Sequence, residues 1–125
     1  MYCCDPGESG SYPLPLSDGL LLDARPTILA VAEDAADGRL AGTISARFHN
    51  ALAHATAAAC ELLAERLDTP TVVLSGGVFQ NRRLLEGTAR QLGEAGLRVL
   101  IPERLPPNDG GISYGQAAVA AAQIS

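Results

Sequence analysis

The chain has no lysine and no tryptophan, only three cysteines, and 4% aromatic residues in a length of 125. Each shortage excludes something. With no lysine and a net charge of −5, the surface lacks the basic field that neutralises a phosphodiester backbone, so nucleic acid is not expected as a partner. The use of arginine alone reads as a compositional bias of the source rather than as a function. Cys3, Cys4 and Cys60 show neither C-x-x-C pairing nor the further Cys or His partners of a zinc site. Adjacent Cys3 and Cys4 leave a strained vicinal disulfide open, but free thiols in a reducing cytoplasm are the expectation. No apolar run approaches the length that spans a bilayer, and the N-terminus has no basic stretch leading into an apolar one. The expectation is a cytoplasmic chain with no membrane partner.

What is present is apolar mass of the small aliphatic kind: 47% of residues are hydrophobic, mostly Ala, Leu and Val. A chain of this length is one domain, or one lobe of something larger, and can bury roughly two thirds of its unfolded surface without disulfides or structural metal. The composition suits helices packed on a small sheet, an α/β class.

Met1 to Asp23 is rich in Pro, Gly, Ser and Asp and lacks periodicity, so residues 1–24 read as an irregular lead-in to a single domain over 1–125. Thr27 to Asp37 predicts a short helix, started near Pro26 or Thr27 and stopped at Gly38. From about Thr43 to Leu67, Ile44, Phe48, Leu52, Ala55, Ala59, Leu62 and Leu63 recur at three and four residues and predict a long helix with one apolar stripe. Its Ala-rich middle allows a neighbour to approach closely. Asp68-Thr69-Pro70 breaks that helix, and Val72, Val73 and Leu74 read as a strand apolar on both faces. Asn81 to Ala95 predicts a second amphipathic helix, with Leu84, Leu85, Thr88 and Leu92 inward and Gly96 as a left-handed cap. Leu97 to Ile101 alternates as a strand, giving a βαβ unit with parallel strands, expected right-handed. Pro102 to Gly111 is a loop, and Ile112 to Gln123 an Ala-rich helix.

Two strand-to-helix turns each carry a Gly-Gly pair. S-G-G-V, with Gly76 and Gly77, follows the first strand; N-D-G-G-I-S, with Gly110 and Gly111, follows the second. Both fall at the carboxyl edge of the sheet, where ligands of open α/β folds bind. Glycine lets a ligand approach the backbone, and helix starts offer unpaired N–H groups to a phosphate. One such pair alone reads first as a tight turn; two on one edge shift the reading toward a ligand. Asp109 reads as an N-cap of the last helix, or as an oxygen ligand to a hard divalent ion beside a phosphate. Asn81, one turn into its helix, can donate and accept, and so either reads a ribose or base edge or caps the helix. His49 and His54, five apart, make a poor metal pair and read as packed or surface histidines. Arg82 and Arg83 read as a solvated helix face.

With V-V-L-S-G-G-V-F-Q-N-R-R-L-L-E, L-P-P-N-D-G-G-I-S-Y-G-Q-A-A-V-A-A-A and I-S-A-R-F-H-N-A-L-A in view, the chain from about Tyr12 onward resembles the C-terminal end of the hydrogenase-maturation carbamoyltransferases, the HypF family. The resemblance implies an actin-like ATPase lobe of the ribonuclease-H-like type. It implies ATP and carbamoyl phosphate as substrates, a carbamoyl-adenylate product, and transfer of the carbamoyl group to the C-terminal cysteine of an acceptor maturation protein. Gly76, Gly77, Gly110 and Gly111 would line the nucleotide pocket and Asn81 would bind the nucleoside. Asp109 would be a ligand to a divalent metal, Mg, Fe or Zn, and the resemblance puts that role ahead of the cap. The family's metal site also draws on an H-x-x-x-H pair, a spacing absent here. The expectation is therefore one lobe, inactive without a complementary lobe, with an uncovered apolar stripe that favours self-association into a homo-oligomer. The alternative is a non-catalytic nucleotide-binding or oligomerising module of the same fold.

Overall fold

The computed structural model describes residues 4–124. Cys3, and with it the question of a Cys3–Cys4 bridge, lies outside the described residues; Cys4 and Cys60 are free thiols. The elements run in the order α1 (Arg25–Ala36), α2 (Ala41–Leu67), β1 (Thr71–Val73), α3 (Arg82–Glu94), β2 (Arg98–Leu100) and α4 (Ile112–Ile124). Pro26 stands in the first turn of α1, where its missing N–H costs nothing. Gly38 and Gly96 take left-handed conformations after α1 and α3, with φ of 75° and 80°, as their positions after a helix require.

β1 and β2 pair in parallel, Thr71 with Arg98, Val72 with Val99 and Val73 with Leu100. The sheet has these two strands alone among the described residues. The inward positions carry Val72 and Val99, which pack against a core of Ala57, Leu74 and Leu92. The expectation of a strand buried on both faces is corrected: Val73 is 61% exposed and its partner Leu100 is exposed too. α4 buries none of its residues. Among the described residues one sheet face is thus left exposed, and α4 is not buried.

α2 spans its predicted length, and the predicted stripe is buried at Ala55 and half-buried at Ile44, Leu52, Ala59 and Leu62, but the helix is also buried on its opposite side, at Ala46, Ala53 and Ala57. Ala46, Ala51, Ala53, Ala55 and Ala57 are buried, whereas Phe48 and Leu63 are exposed. On the side of Ala46, Ala53 and Ala57 only small side chains fit, because α3 comes close there. A Cβ placed on Gly87 of α3 would sit 3.5 Å from Ala53 Cβ. The Ala-rich middle does serve a close approach, as its composition implied.

The lead-in contains no helix or strand from Cys4 to Ala24, only an isolated bridge between Leu16 and Leu22. It is nevertheless fastened to the helices. Tyr12 is buried and its Oη donates to Asp34 Oδ2 at 2.7 Å; Arg47 reaches both Glu8, at 3.0 Å, and Asp34, at 3.1 Å. The hydrogen bond from Tyr12, then that from Arg39, holds the Asp34 carboxyl below its usual value of 3.8. Burial, then the Asp34 contact, pushes the Tyr12 hydroxyl up to about 12. The linkage has two signs. A depressed carboxyl stabilises above its unfolded value and that contribution is lost as pH falls through the folded one; a raised phenol stabilises below its unfolded value and is lost as pH rises toward 12. The melting temperature is expected to fall on acidification below about pH 4 and again above about pH 10. Asp34→Asn should blunt the acid limb and Tyr12→Phe the alkaline one. A variant with the parent's pH slope would show that the contact does not carry it.

Candidate functional site

The first glycine turn begins where β1 stops. Leu74 is buried and its N–H donates to Leu100 O, at 2.9 Å, so the strand's last pairing pins the turn in place. Gly76 then takes φ 104° and ψ 157°, a region essentially confined to glycine. Gly77 has no positive φ and opens a 3₁₀ turn over Gly77–Gln80. The conformational demand falls on Gly76 alone.

The second turn leaves β2, runs through Pro102 to Asn108, and enters a 3₁₀ turn over Asp109–Gly111 that leads into α4. The two turns touch. Gly76 N–H donates to Pro107 O at 2.6 Å, and Ser75 Oγ lies 3.5 Å from the same oxygen. A Cβ on Gly77 would come within 4.0 Å of Asn108 Cβ. Between them lies an open groove of about 290 Å³, bordered by Ser75, Gly76, Pro106, Asn108, Asp109 and Gly111. The structure therefore brings Gly76, Gly77, Asp109, Gly110 and Gly111 to one edge.

Packing accounts for two of these glycines. A Cβ on Gly111 would sit 2.7 Å from Pro106 O, and one on Gly110 would lie 3.1 Å from Asn108 Oδ1. Asp109 is not the cap that the sequence left open. Asn108 precedes the turn and its Oδ1 accepts from Gly110 N–H at 3.0 Å; the signal was available, since Asn before Asp-Gly favours such a local bond. The Asp109 side chain is exposed and makes no hydrogen bond or ion pair among the described residues. Among the described residues it is also the one charged side chain lining the groove. Among the described residues no three His, Cys, Asp or Glu side chains converge as a metal site. Asp109 alone offers one carboxylate oxygen pair, so any metal held there needs ligands from outside this chain's described residues.

Asn81 lies apart from the groove lining. It is not one turn into α3 but its N-cap: Oδ1 accepts from Leu84 N–H at 3.2 Å. Its Nδ2 sits 2.7 Å from His49 Nε2 on α2. The turn between the glycines and Asn81 is the 3₁₀ segment Gly77–Gln80, so α3 begins only at Arg82. Arg83 corrects the solvated-face reading as well. Its guanidinium donates to Asp5 O, Glu8 O and Asn50 Oδ1 at 2.9 to 3.1 Å, while Arg82 does face solvent in a pair with Glu86. Asn50 in turn donates to Glu8 O and Gly10 O. His49, Asn50 and Arg83 thus join the lead-in, α2 and the start of α3. Sequence reasoning missed these roles because each partner lies more than thirty residues away, beyond any local pattern.

A family model described as carbamoyltransferase, Kae1-like domain, second subdomain, matches residues 2–116. The carbamoyltransferase HypF of Rhizobium leguminosarum bv. viciae is 42% identical over 113 residues, which are 90% of this chain and 14% of that protein. The carbamoyltransferase HypF of Synechocystis sp. (strain ATCC 27184 / PCC 6803 / Kazusa) is 38% identical over 108 residues, 84% of this chain and 13% of that protein. A crystal structure of full-length HypF in the phosphate- and nucleotide-bound form matches with a TM-score of 0.87 at 33% identity, over 99% of this chain and 16% of that one. The chain spans 13–16% of the length of these relatives. It belongs to the HypF carbamoyltransferase family, as the second subdomain of the Kae1-like domain.

Proposed function

We propose that this subdomain is the C-terminal lobe of an actin-like ATPase (ribonuclease-H-like) carbamoyltransferase, and that its glycine edge receives ATP and carbamoyl-adenylate. The observation that carries this reading is the junction from Gly76 N–H to Pro107 O, which sets both glycine turns side by side beyond the carboxyl ends of two parallel strands. Pro107 O takes the Gly76 N–H, but among the described residues no backbone bond outside the helices and strands takes the N–H groups of Gly77 and Val78, and no Cβ stands over them at Gly77. Backbone donors of this kind suit a phosphate. In the assembled enzyme Asn81 contacts the nucleoside, and Gly110 and Gly111 line the opposite wall. The Asp109 carboxylate is one ligand to a divalent ion, which supplies charge neutralisation for the phosphates when bound. The carbamoyl group passes, in the cytoplasm, to a cysteine of an acceptor maturation protein on the route to the nickel–iron hydrogenase centre.

On the same reading the lobe does not work alone. Among the described residues its groove presents a carboxylate and no arginine, and a phosphate beside an unneutralised carboxylate is repelled. On this reading the positive charge and further metal ligands come from a complementary lobe, which packs on the exposed Val73 and Leu100 and on α4. The isolated chain is expected to release no pyrophosphate from ATP in the presence of carbamoyl phosphate and Mg²⁺, whereas a HypF-length protein carrying it does. Turnover by the isolated chain would overturn the single-lobe reading. Tight ATP binding without turnover in both forms would instead support a non-catalytic nucleotide-binding module.

A further inference from the structure

The hydrogen bonds at the start of α3 admit one protonation pattern. Leu84 N–H can only donate, so the Asn81 oxygen must face it, at 3.2 Å. The amide nitrogen is thereby turned to His49 Nε2 at 2.7 Å, and Nε2 must accept. His49 Nδ1 lies 2.7 Å from the Ser45 backbone oxygen, which can only accept, so Nδ1 carries the proton. A backbone carbonyl of α2 and a backbone N–H of α3 together fix the tautomer of one side chain and the orientation of the other. The other described groups recorded against the ring do not compete for Nε2. The Cys4 thiol is 3.8 Å from Nδ1, and the Phe48 ring meets the imidazole edge-on with centroids 6.3 Å apart.

We propose that His49 is a positioning residue for nucleoside recognition, acting through Asn81. This rests on the reading above, in which Asn81 contacts the nucleoside. The cap bond by itself holds one atom of an exposed amide, about which the plane can swing. The bond to His49 holds the other end and sets the plane. One Nδ2 hydrogen and one lone pair of Oδ1 are then left facing outward, a donor and an acceptor side by side. That pair suits a ribose hydroxyl or a base edge, and holding it ready before binding removes an ordering cost from the ligand.

The test uses a HypF-length carbamoyltransferase that carries this segment, ATP as the probe, and the variants Asn81→Ala, His49→Leu and His49→Gln. Glutamine places an oxygen within reach of the Nε2 position and can accept from Asn81; leucine cannot. Asn81→Ala and His49→Leu are each expected to raise KM for ATP about tenfold with kcat little changed. His49→Gln should stay within about threefold of the parent. The double variant should be no worse than Asn81→Ala, because the effect of His49 runs through Asn81. Nitrogen-15 spectra of the parent should show His49 as the Nδ1–H tautomer. A raised KM in Asn81→Ala beside an unchanged one in His49→Leu overturns the inference and leaves the nucleotide reading standing. An unchanged KM in Asn81→Ala overturns the nucleotide reading, and the inference with it. Equal losses for glutamine and leucine, or an Nε2–H tautomer in the parent, assign His49 to support of the fold alone and overturn the proposal even where the leucine variant does not fold.

Discussion

Gly77→Val is expected to abolish nucleotide binding by a HypF-length protein carrying this segment while leaving its melting temperature nearly unchanged. The backbone at Gly77 is not in the left-handed region, so a side chain can be carried there without strain. The nearest atom to its Cβ would be Asn108 Cβ at 4.0 Å, ordinary contact. On the proposed reading, the added isopropyl group would take up space that a phosphate needs beside the Gly77 backbone. A loss of about hundredfold or more corresponds to roughly 2.7 kcal/mol of binding. Gly76→Val is the contrasting case. Space around its Cβ is open, but φ 104° with ψ 157° costs a branched residue about 1–3 kcal/mol, so stability should fall. A thermal melt paired with an ATP titration on both variants separates the two effects. If Gly77→Val melts early and still binds ATP with parental affinity, the pair does no more than turn the corner.

Leu92→Ala is expected to cost about 2–5 kcal/mol of folding stability, the range for removing a large aliphatic side chain from a packed interior. Leu92 has no exposed surface and sits with Ala57 and Leu74 at the one place where α2, α3 and the sheet converge. The surroundings include Cys60, Val72, Leu85 and Val99, held by the strand pairing on one side and by the close helix contact on the other, so the cavity has little room to collapse. Domains are stable by only about 5–15 kcal/mol, and among the described residues this one leaves a sheet face exposed and α4 unburied. The urea midpoint should therefore drop steeply. Leu29→Ala, at a residue 65% exposed, should stay within about 0.5 kcal/mol. Equal shifts for the two would mean that the convergence at Leu92 is not the core.

Local chemistry determined most of what the sequence showed. The long helix, the breaker Asp68-Thr69-Pro70, the left-handed stops at Gly38 and Gly96, the parallel strands and the placing of both glycine turns on one sheet edge all follow from periodicity and turn residues within a few positions of one another. So does the family, since S-G-G-V-F-Q-N and P-P-N-D-G-G are contiguous. What the sequence could not settle were distances between elements. That α2 is buried on a second side, at Ala46, Ala53 and Ala57, depended on how closely α3 approaches there. Whether β1 is covered on both faces depended on what else packs there, and within the described residues nothing covers Val73. Which glycine bears the strained conformation, and whether Asn108 or Asp109 makes the cap, turned on backbone torsions that a Gly-Gly or Asn-Asp pair leaves open. The pairing of His49 with Asn81 and the grip of Arg83 on the lead-in belong wholly to the tertiary structure. Hydrogen bonds across such separations are decided by packing geometry, and no local propensity encodes them.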